Sequence, residues 1–233
     1  GELLLREVRP WSAREGVFSY SSVAAAERAA AGRPDPVPTR EQREAADAGA
    51  PTTEDADRAT NLGSAFHELA QAMVERGGRV GEAEVCARAD YWNLSARARA
   101  RLGAALARWE GSALRAEALS HGLVRAEVPF FSLGCEDEDI ARVGAYAEGA
   151  IDALATNPAD SSRVLVIDYK TGGTPDETPE QLQEKHALQA RVYADVLHKA
   201  GFEAVTVKFV RVEQPDPTIF VEPAEPQVVT YNL

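Results

Sequence analysis

Apolar residues recur at helical spacing in some stretches of the chain and form short strand-like runs in others. The stretch LGSAFHELAQAMVERGG, residues 62–78, repeats apolar side chains three and four positions apart and ends in two glycines, which predicts a helix. A second helical region is predicted over about 82–120. A third helix is predicted to begin at the capping pattern TPEQ, residues 178–181, and to end at Gly201.

Apolar runs bounded by turn residues predict the strands. They cover residues 123–133, 140–155, 163–169 and 202–212, with two short edge strands in TIFVE (218–222) and QVVTYNL (227–233). The Asn-Pro turn at 157–162 joins the second and third of them as a hairpin. Helices, three strands, a helix and further strands in this order predict an α/β domain with a mixed central sheet.

Residues 32–61 differ in composition from the rest of the chain. They hold four prolines, many charges and almost no large apolar side chain, so they predict a flexible insertion that adds nothing to a core. We therefore expect a single domain, with an N-terminal segment over 1–31, the insertion over 32–61 and the core over 62–233. The N-terminal GELLLREVRPW lacks a signal-peptide pattern, and we expect the chain to be part of a longer protein.

Charge and cysteine content exclude several classes of protein. The 233-residue chain carries a net charge of −12, which argues against binding nucleic acid by bulk electrostatics but not against an acidic site that meets phosphate through a cation. Arginines 97, 99, 101 and 108 make the second helical region locally basic, and its glutamates predict a solvated face there. No apolar run approaches the ~20 residues of a membrane helix. Two cysteines cannot complete a four-cysteine zinc site or iron–sulfur cluster, and they suit a reducing, cytoplasmic compartment.

The segment VLVIDYKTGG, residues 164–173, places charge at the end of a hydrophobic strand. Asp168 and Lys170 follow four apolar residues, and buried charge is costly unless it is paired or bound to a metal. Asp152 lies near the end of the preceding strand, so hairpin pairing would bring it close to Asp168.

Two neighbouring carboxylates repel each other unless a cation lies between them, and Mg²⁺ prefers oxygen ligands and phosphate. Lys170 shares a strand face with Asp168, where it could orient or deprotonate a metal-bound water. Taken alone, the Asp-x-Lys triplet is better explained by a structural ion pair.

Four segments, GSAFHELAQ, GAIDALA, VLVIDYKTG and LQARVYADVL, occur in an order that resembles RecB-like nuclease domains of the PD-(D/E)xK superfamily. FSYSSV (18–23) and EVPF (127–130) also resemble segments of these domains. The family is common at the C-termini of RecB- and AddA-type helicase–nucleases that process double-strand breaks. The resemblance, from about Phe18 to Leu197, implies a restriction-endonuclease-like fold, a mixed central sheet flanked by helices.

Carried over position by position, the resemblance implies a metal site and a catalytic lysine. His67 joins the metal, Asp152 is the first acidic ligand, Asp168 is the second, and the backbone carbonyl of Tyr169 lies nearby. Lys170 is the catalytic lysine. Taken alone, His67 is better explained as an ordinary half-buried histidine, and Asp152 could cap a turn.

The resemblance also implies supporting residues around this site. Gln189 and Tyr193 lie four apart on one helical face and would line it, although such a pair can simply flank a core. Glu127 is an accessory acid in the same comparison. His186 and His198 match no partner and are predicted to be surface residues.

The function expected from these observations is a Mg²⁺- or Mn²⁺-dependent DNA nuclease domain that cleaves single-stranded ends during break repair and recombination. A helicase domain, in the same parent chain or in a partner subunit, would deliver the DNA, and neither an iron–sulfur cluster nor a membrane is expected to take part. Two alternatives stay open. The chain could be a non-catalytic DNA-binding or docking module with the same fold, or a stand-alone RecB-like exonuclease.

Overall fold

A computed structural model describes residues 17–19, 59–133, 146–173, 176–219, 221 and 223–233. Its helices and strands are β1 (Val17–Ser19), α1 (Ala59–Arg76), α2 (Glu82–Tyr91), α3 (Ala96–Gly111), α4 (Ala113–Ser120), β2 (Leu123–Leu133), β3 (Tyr146–Asn157), β4 (Asp160–Lys170), α5 (Pro179–Lys199), β5 (Ala204–Pro215) and β6 (Pro226–Asn232).

The strands form one mixed sheet. Its order is β1-β3-β4-β5-β6, with β2 paired to β3 off this path. Strands β1 and β4 pair with different parts of β3, at 146–148 and 153–157, and β2 pairs with β3 along 146–156. The β2–β3, β3–β4 and β5–β6 pairs are antiparallel, whereas β1–β3 and β4–β5 are parallel. The predicted α/β domain with a mixed central sheet is therefore confirmed.

Helices cover both faces of the sheet, which explains why β4 is apolar along most of its length. Leu165 and Ile167 pack against the core formed with α1 to α4, while Val164 and Val166 pack against the core formed with α5. A strand covered on both faces needs apolar residues at successive positions rather than at alternate ones. The C-terminal end of β4 therefore lies between the two helical layers.

Some predicted elements differ from the structure. The second helical region is three helices, because Ser95 and Ser112 each accept a hydrogen bond at the start of a new helix. Residues 218, 219 and 221 of the predicted edge strand at 218–222 are not in a strand, and residues 220 and 222 lie outside the described part of the chain. Thr218 lies in a turn where the Asp216 carboxylate accepts hydrogen bonds from its amide and hydroxyl, and Ile219 and Val221 are exposed.

The N-terminal predictions are described only in part. Helix α1 begins at Ala59, three residues inside the predicted insertion, and residues 1–16 and 20–58 lie outside the described residues. The predicted strand at 140–155 is observed as Tyr146–Asn157, with 140–145 also outside them. Within the described ranges, no helix combines the length and apolar character that crossing a membrane requires.

Candidate active site

Strands β3 and β4 separate at the two predicted acidic ligands. Their pairing runs as far as Ala153 and Ile167, so Asp152 and Asp168 occupy the next level. There the Tyr169 backbone amide donates a 2.7 Å hydrogen bond to Asp152 Oδ2 instead of to a strand carbonyl. Strand β1 pairs with the first residues of β3, 146–148. The gap between β3 and β4, called the fork below, therefore brings the two carboxylates to one place.

Strands β2 and β3 both switch faces beside the fork. Ile151 and Ala153 are two residues apart, yet they pack into opposite cores, and Val124 and Val128 differ in the same way. Regular strands keep such residues on one face. Between them Glu127 has a φ of 47°, in a left-handed region that non-glycine residues rarely adopt. This switch leaves the Glu127 and Asp152 carboxylates beside each other at the fork.

His67 reaches the fork from α1. Its Nδ1 lies 3.4 Å from Asp152 Oδ1 and 3.9 Å from Glu127 Oε1. One donor atom from each of these three residues lies within 4.8 Å of the other two. An imidazole nitrogen beside carboxylate oxygens is a donor set that divalent metals accept. Glu127, which the resemblance implied only as an accessory acid, is thus one of the three residues of this candidate metal-binding group.

Packing fixes the orientation of the His67 ring. The Tyr169 side chain points away from the fork into the α1 to α4 core, and its ring meets the His67 ring edge-on with centroids 5.7 Å apart. Phe66 and Trp109 pack edge-on against the same tyrosine. Tyr169 therefore contributes its backbone to the fork and its ring to the support of His67.

The charges at the fork shift the pKa values of its groups. Burial by itself lowers the pKa of His67, but hydrogen bonds to Asp152 and Glu127 and the nearby carboxylate charge outweigh it and raise the pKa to about 10. Burial, and then repulsion by Asp168, raises the pKa of Asp152. Without a cation, a protonated imidazole therefore balances part of the negative charge.

The predicted lysine lies on the α5 side of the fork. Lys170 Nζ is 2.6 Å from Asp168 Oδ1 and donates a 2.9 Å hydrogen bond to Gln189 Oε1. Gln189 Nε2 and the Tyr193 hydroxyl donate to Asp168 Oδ2 at 2.7 and 2.9 Å. Asp168 is only 3% exposed, whereas the Lys170 side chain is 27% exposed. The predicted residues of β4 and α5 are therefore in mutual contact.

The Asp168 carboxylate lies beside this group of three. Asp168 Oδ1 is buried and has the Lys170 ammonium 2.6 Å away as its ion-pair partner. Its negative charge raises the pKa of both Asp152 and His67, so it acts on the same part of the fork. The donor atoms that lie close enough together for one divalent metal ion are those of His67, Glu127 and Asp152, and Asp168 is the neighbouring carboxylate.

The prediction that His186 is a surface residue is wrong. Its side chain is 5% exposed and stacks on Phe209 with ring centroids 4.7 Å apart. Lys170 Nζ lies 5.2 Å from the centre of the same Phe209 ring. The helical spacing in the sequence indicates this burial, because His186 is four residues after Leu182 and three before Gln189 on the buried stripe of α5. His198 is exposed, as predicted.

A family model of the PD-(D/E)XK nuclease superfamily matches residues 41–232. No curated protein matches the chain significantly. The matched range covers most of the chain and includes every residue placed at the fork. With the mixed sheet, it confirms the restriction-endonuclease-like fold that the sequence resemblance implied. The chain belongs to the PD-(D/E)XK nuclease superfamily.

Proposed function

We propose that this chain is a divalent-metal-dependent deoxyribonuclease domain whose active site is the fork. The observation that carries the proposal is the meeting of Asp152, Asp168 and Lys170 with His67 at one break in the sheet. A structural ion pair would explain Lys170 and Asp168 alone. It would not explain a histidine and two further carboxylates gathered beside that pair.

His67, Glu127, Asp152 and Asp168 would hold the metal, and Mg²⁺ or Mn²⁺ suits these donors. When bound, the cation lowers the pKa of a coordinated water and withdraws charge from the phosphate. Gln189 fixes Asp168 and Lys170 relative to each other, since it hydrogen-bonds to both. The ammonium group is then held at the fork, where it orients the attacking water and offsets the charge that develops on phosphate.

The finer part of the proposal concerns the biological setting. We propose that the domain cleaves single-stranded DNA ends as part of a RecB- or AddA-type helicase–nuclease in the cytoplasm, during double-strand-break repair. The resemblance in segment order supports this setting. The net charge of −12 supports delivery of DNA by another domain, because bulk charge would repel the phosphate backbone.

The test is cleavage of a labelled single-stranded oligonucleotide by the purified chain with Mg²⁺ or Mn²⁺. Asp168→Asn and Lys170→Met should each lower the rate by at least about 100-fold. Asp195→Asn is the matched control, because Asp195 lies on α5 and pairs with Lys199 away from the fork. Mn²⁺ binding by calorimetry should disappear in Asp168→Asn and persist in Lys170→Met. Unchanged cleavage by either variant would contradict the proposed site.

A further inference from the structure

A polar cavity opens just past the C-terminal end of β4, close to the fork and on the α3 side of the sheet. Its volume is about 260 Å³, and its wall includes Arg101 and Arg108 of α3, Gly172 and Gly173 after β4, and Glu213 and Gln214 of β5. We call it the arginine pocket. The sequence predicted a solvated basic face for α3, but these two arginines turn toward the sheet edge.

Glu213 organises one wall of the arginine pocket. Its carboxylate accepts from Arg101 Nε and Nη2 at 2.8 and 3.0 Å, and also from the Gly172 amide at 2.5 Å. Gln214 Nε2 donates to the Gly173 carbonyl at 3.1 Å. The segment after Lys170 is thus tied to β5, and the charge of Glu213 is matched by Arg101.

Arg108 leaves positive charge in the pocket. Its Nη1 donates a 2.5 Å hydrogen bond to the Val212 carbonyl, which is a neutral partner. Its Nε is buried and has no hydrogen-bond partner among the described residues. Two guanidinium groups therefore face a single carboxylate, in a chain whose net charge is −12. A guanidinium group that lines an open cavity and has no carboxylate of its own to match it is the setting in which an anion would bind.

The pocket is a short distance from the fork. Gly172 is two residues beyond Lys170, which is paired with Arg211 in the parallel β4–β5 register. Strand β4 ends at Lys170 and Gly172 has a φ of 77°, so the chain turns there and the two residues span at most about 7 Å of backbone. That distance is similar to the spacing of successive phosphates in a nucleic-acid strand. A nucleic-acid strand that passes the C-terminal end of β4 can therefore meet Lys170 on the α5 side and the arginine pocket on the α3 side.

We propose that the arginine pocket binds a backbone phosphate of the single-stranded DNA whose neighbouring phosphate lies at Lys170. The identity of the ligand rests on the proposed nuclease function. Guanidinium groups bind phosphate by paired, charge-assisted hydrogen bonds, and such contacts position a strand without reading its sequence. The pocket thus gives the acidic domain a local positive site that attracts DNA, although the net charge of the domain repels the phosphate backbone.

Four substitutions on α3 test the pocket. Arg108→Gln removes the unmatched charge, and Ala104→Glu keeps both arginines but adds a second carboxylate to the pocket wall, which opposes the binding of an anion. Arg99→Gln and Ala107→Glu are the controls. Arg99 pairs with Asp90 and the Leu94 carbonyl, and Ala107 is exposed and is not among the lining residues.

The measurement is anisotropy of a labelled single-stranded oligothymidylate in EDTA, over a series of salt concentrations. Arg108→Gln and Ala104→Glu should each weaken binding at least about threefold, relative to wild type and to their controls. Loss of one phosphate contact should also reduce the slope of log affinity against log salt by about 0.7 in Arg108→Gln. Mn²⁺ binding at the fork should stay unchanged in all four variants.

Each outcome decides the proposal. If wild type cleaves DNA but Ala104→Glu and Arg108→Gln bind the oligonucleotide like wild type, the pocket proposal is wrong and the nuclease proposal stands. If binding depends on Arg108 while wild type neither binds Mn²⁺ nor cleaves, the pocket proposal stands and the nuclease proposal is wrong. A wild-type chain that binds no oligonucleotide overturns the pocket proposal.

Discussion

The backbone amide of Tyr169 donates its hydrogen bond to the side chain of Asp152, at the level where β3 and β4 part. A side-chain carboxylate here replaces the strand carbonyl that a continuous ladder would supply. Asp152 therefore has two tasks. Its Oδ2 accepts the hydrogen bond that holds β3 and β4 together at the fork, and its Oδ1 faces His67. The metal site and the break in the sheet depend on the same residue.

Asp152→Asn and Asp152→Ala should separate these two tasks. Asparagine keeps an oxygen that can accept from the Tyr169 amide, so the Asn variant should retain most of the folding stability while losing Mn²⁺ binding. Alanine leaves the amide without its partner and should lower the free energy of unfolding by about 1–3 kcal/mol. Urea unfolding and calorimetric Mn²⁺ titration of both variants measure the difference. Equal stability of the two variants would show that the hydrogen bond contributes nothing to folding.

Glu127 offers a second test, because its backbone is strained. A non-glycine residue at a φ of 47° pays a conformational cost that glycine avoids. Glu127→Gly should therefore unfold at the same temperature as Glu127→Gln or higher, even though it removes the whole side chain. Both variants should bind Mn²⁺ about tenfold more weakly, which corresponds to about 1.4 kcal/mol. Wild-type Mn²⁺ affinity in Glu127→Gln would remove Glu127 from the metal site.

His186 predicts an acid-dependent loss of stability. Burial, and then the Lys170 ammonium, lowers the pKa of His186 to about 4, below its ordinary value of 6.5. The unfolded chain therefore binds a proton between pH 6.5 and 4 that the folded chain excludes, so stability is full above pH 6.5 and falls as the pH drops toward 4. The contribution is at most about 3 kcal/mol.

His186→Phe keeps an aromatic ring against Phe209 and removes the titration. Its free energy of unfolding in urea should fall less than that of wild type between pH 7 and pH 4.5. His198→Gln is the control, since His198 is exposed and should leave the wild-type pH dependence unchanged. Identical slopes for His186→Phe and wild type would mean that His186 titrates normally in the folded chain.

Local sequence rules were sufficient for the elements that carry the fork. The apolar run of β4 predicted a buried strand, and the Thr178–Gln181 pattern predicted the capping box that begins α5. The four-residue spacing of Gln189 and Tyr193 placed both on one face of that helix, where they meet Asp168. These features depend on residues close in sequence or on one strand face, so local sequence patterns are enough to predict them.

Features set by distant contacts were not predictable in this way. Glu127 adopts a left-handed backbone that its residue type disfavours, so nothing local indicates the switch of faces in β2 and β3. Arg101 leaves the solvated face because Glu213, 112 residues away in sequence, binds it. His186 has no evident partner for its ring in the sequence, which favours an exposed position, but its place on the buried stripe of α5 puts it in the core.

His67 predicts that metal binding at the fork releases a proton. The Asp152 and Glu127 carboxylates outweigh the effect of burial and raise the pKa of His67 to about 10, so the imidazole is protonated at neutral pH. A metal needs the neutral imidazole, so the cation must displace this proton. Mn²⁺ affinity should therefore increase with pH, by as much as about tenfold per pH unit below that pKa. Titrations at pH 7 in buffers of different ionisation enthalpy should report release of close to one proton per Mn²⁺, and His67→Ala should release less while binding more weakly. Mn²⁺ binding without proton release in wild type would mean that His67 is already neutral or does not bind the metal, and Asp152 and Glu127 would then hold it without an imidazole.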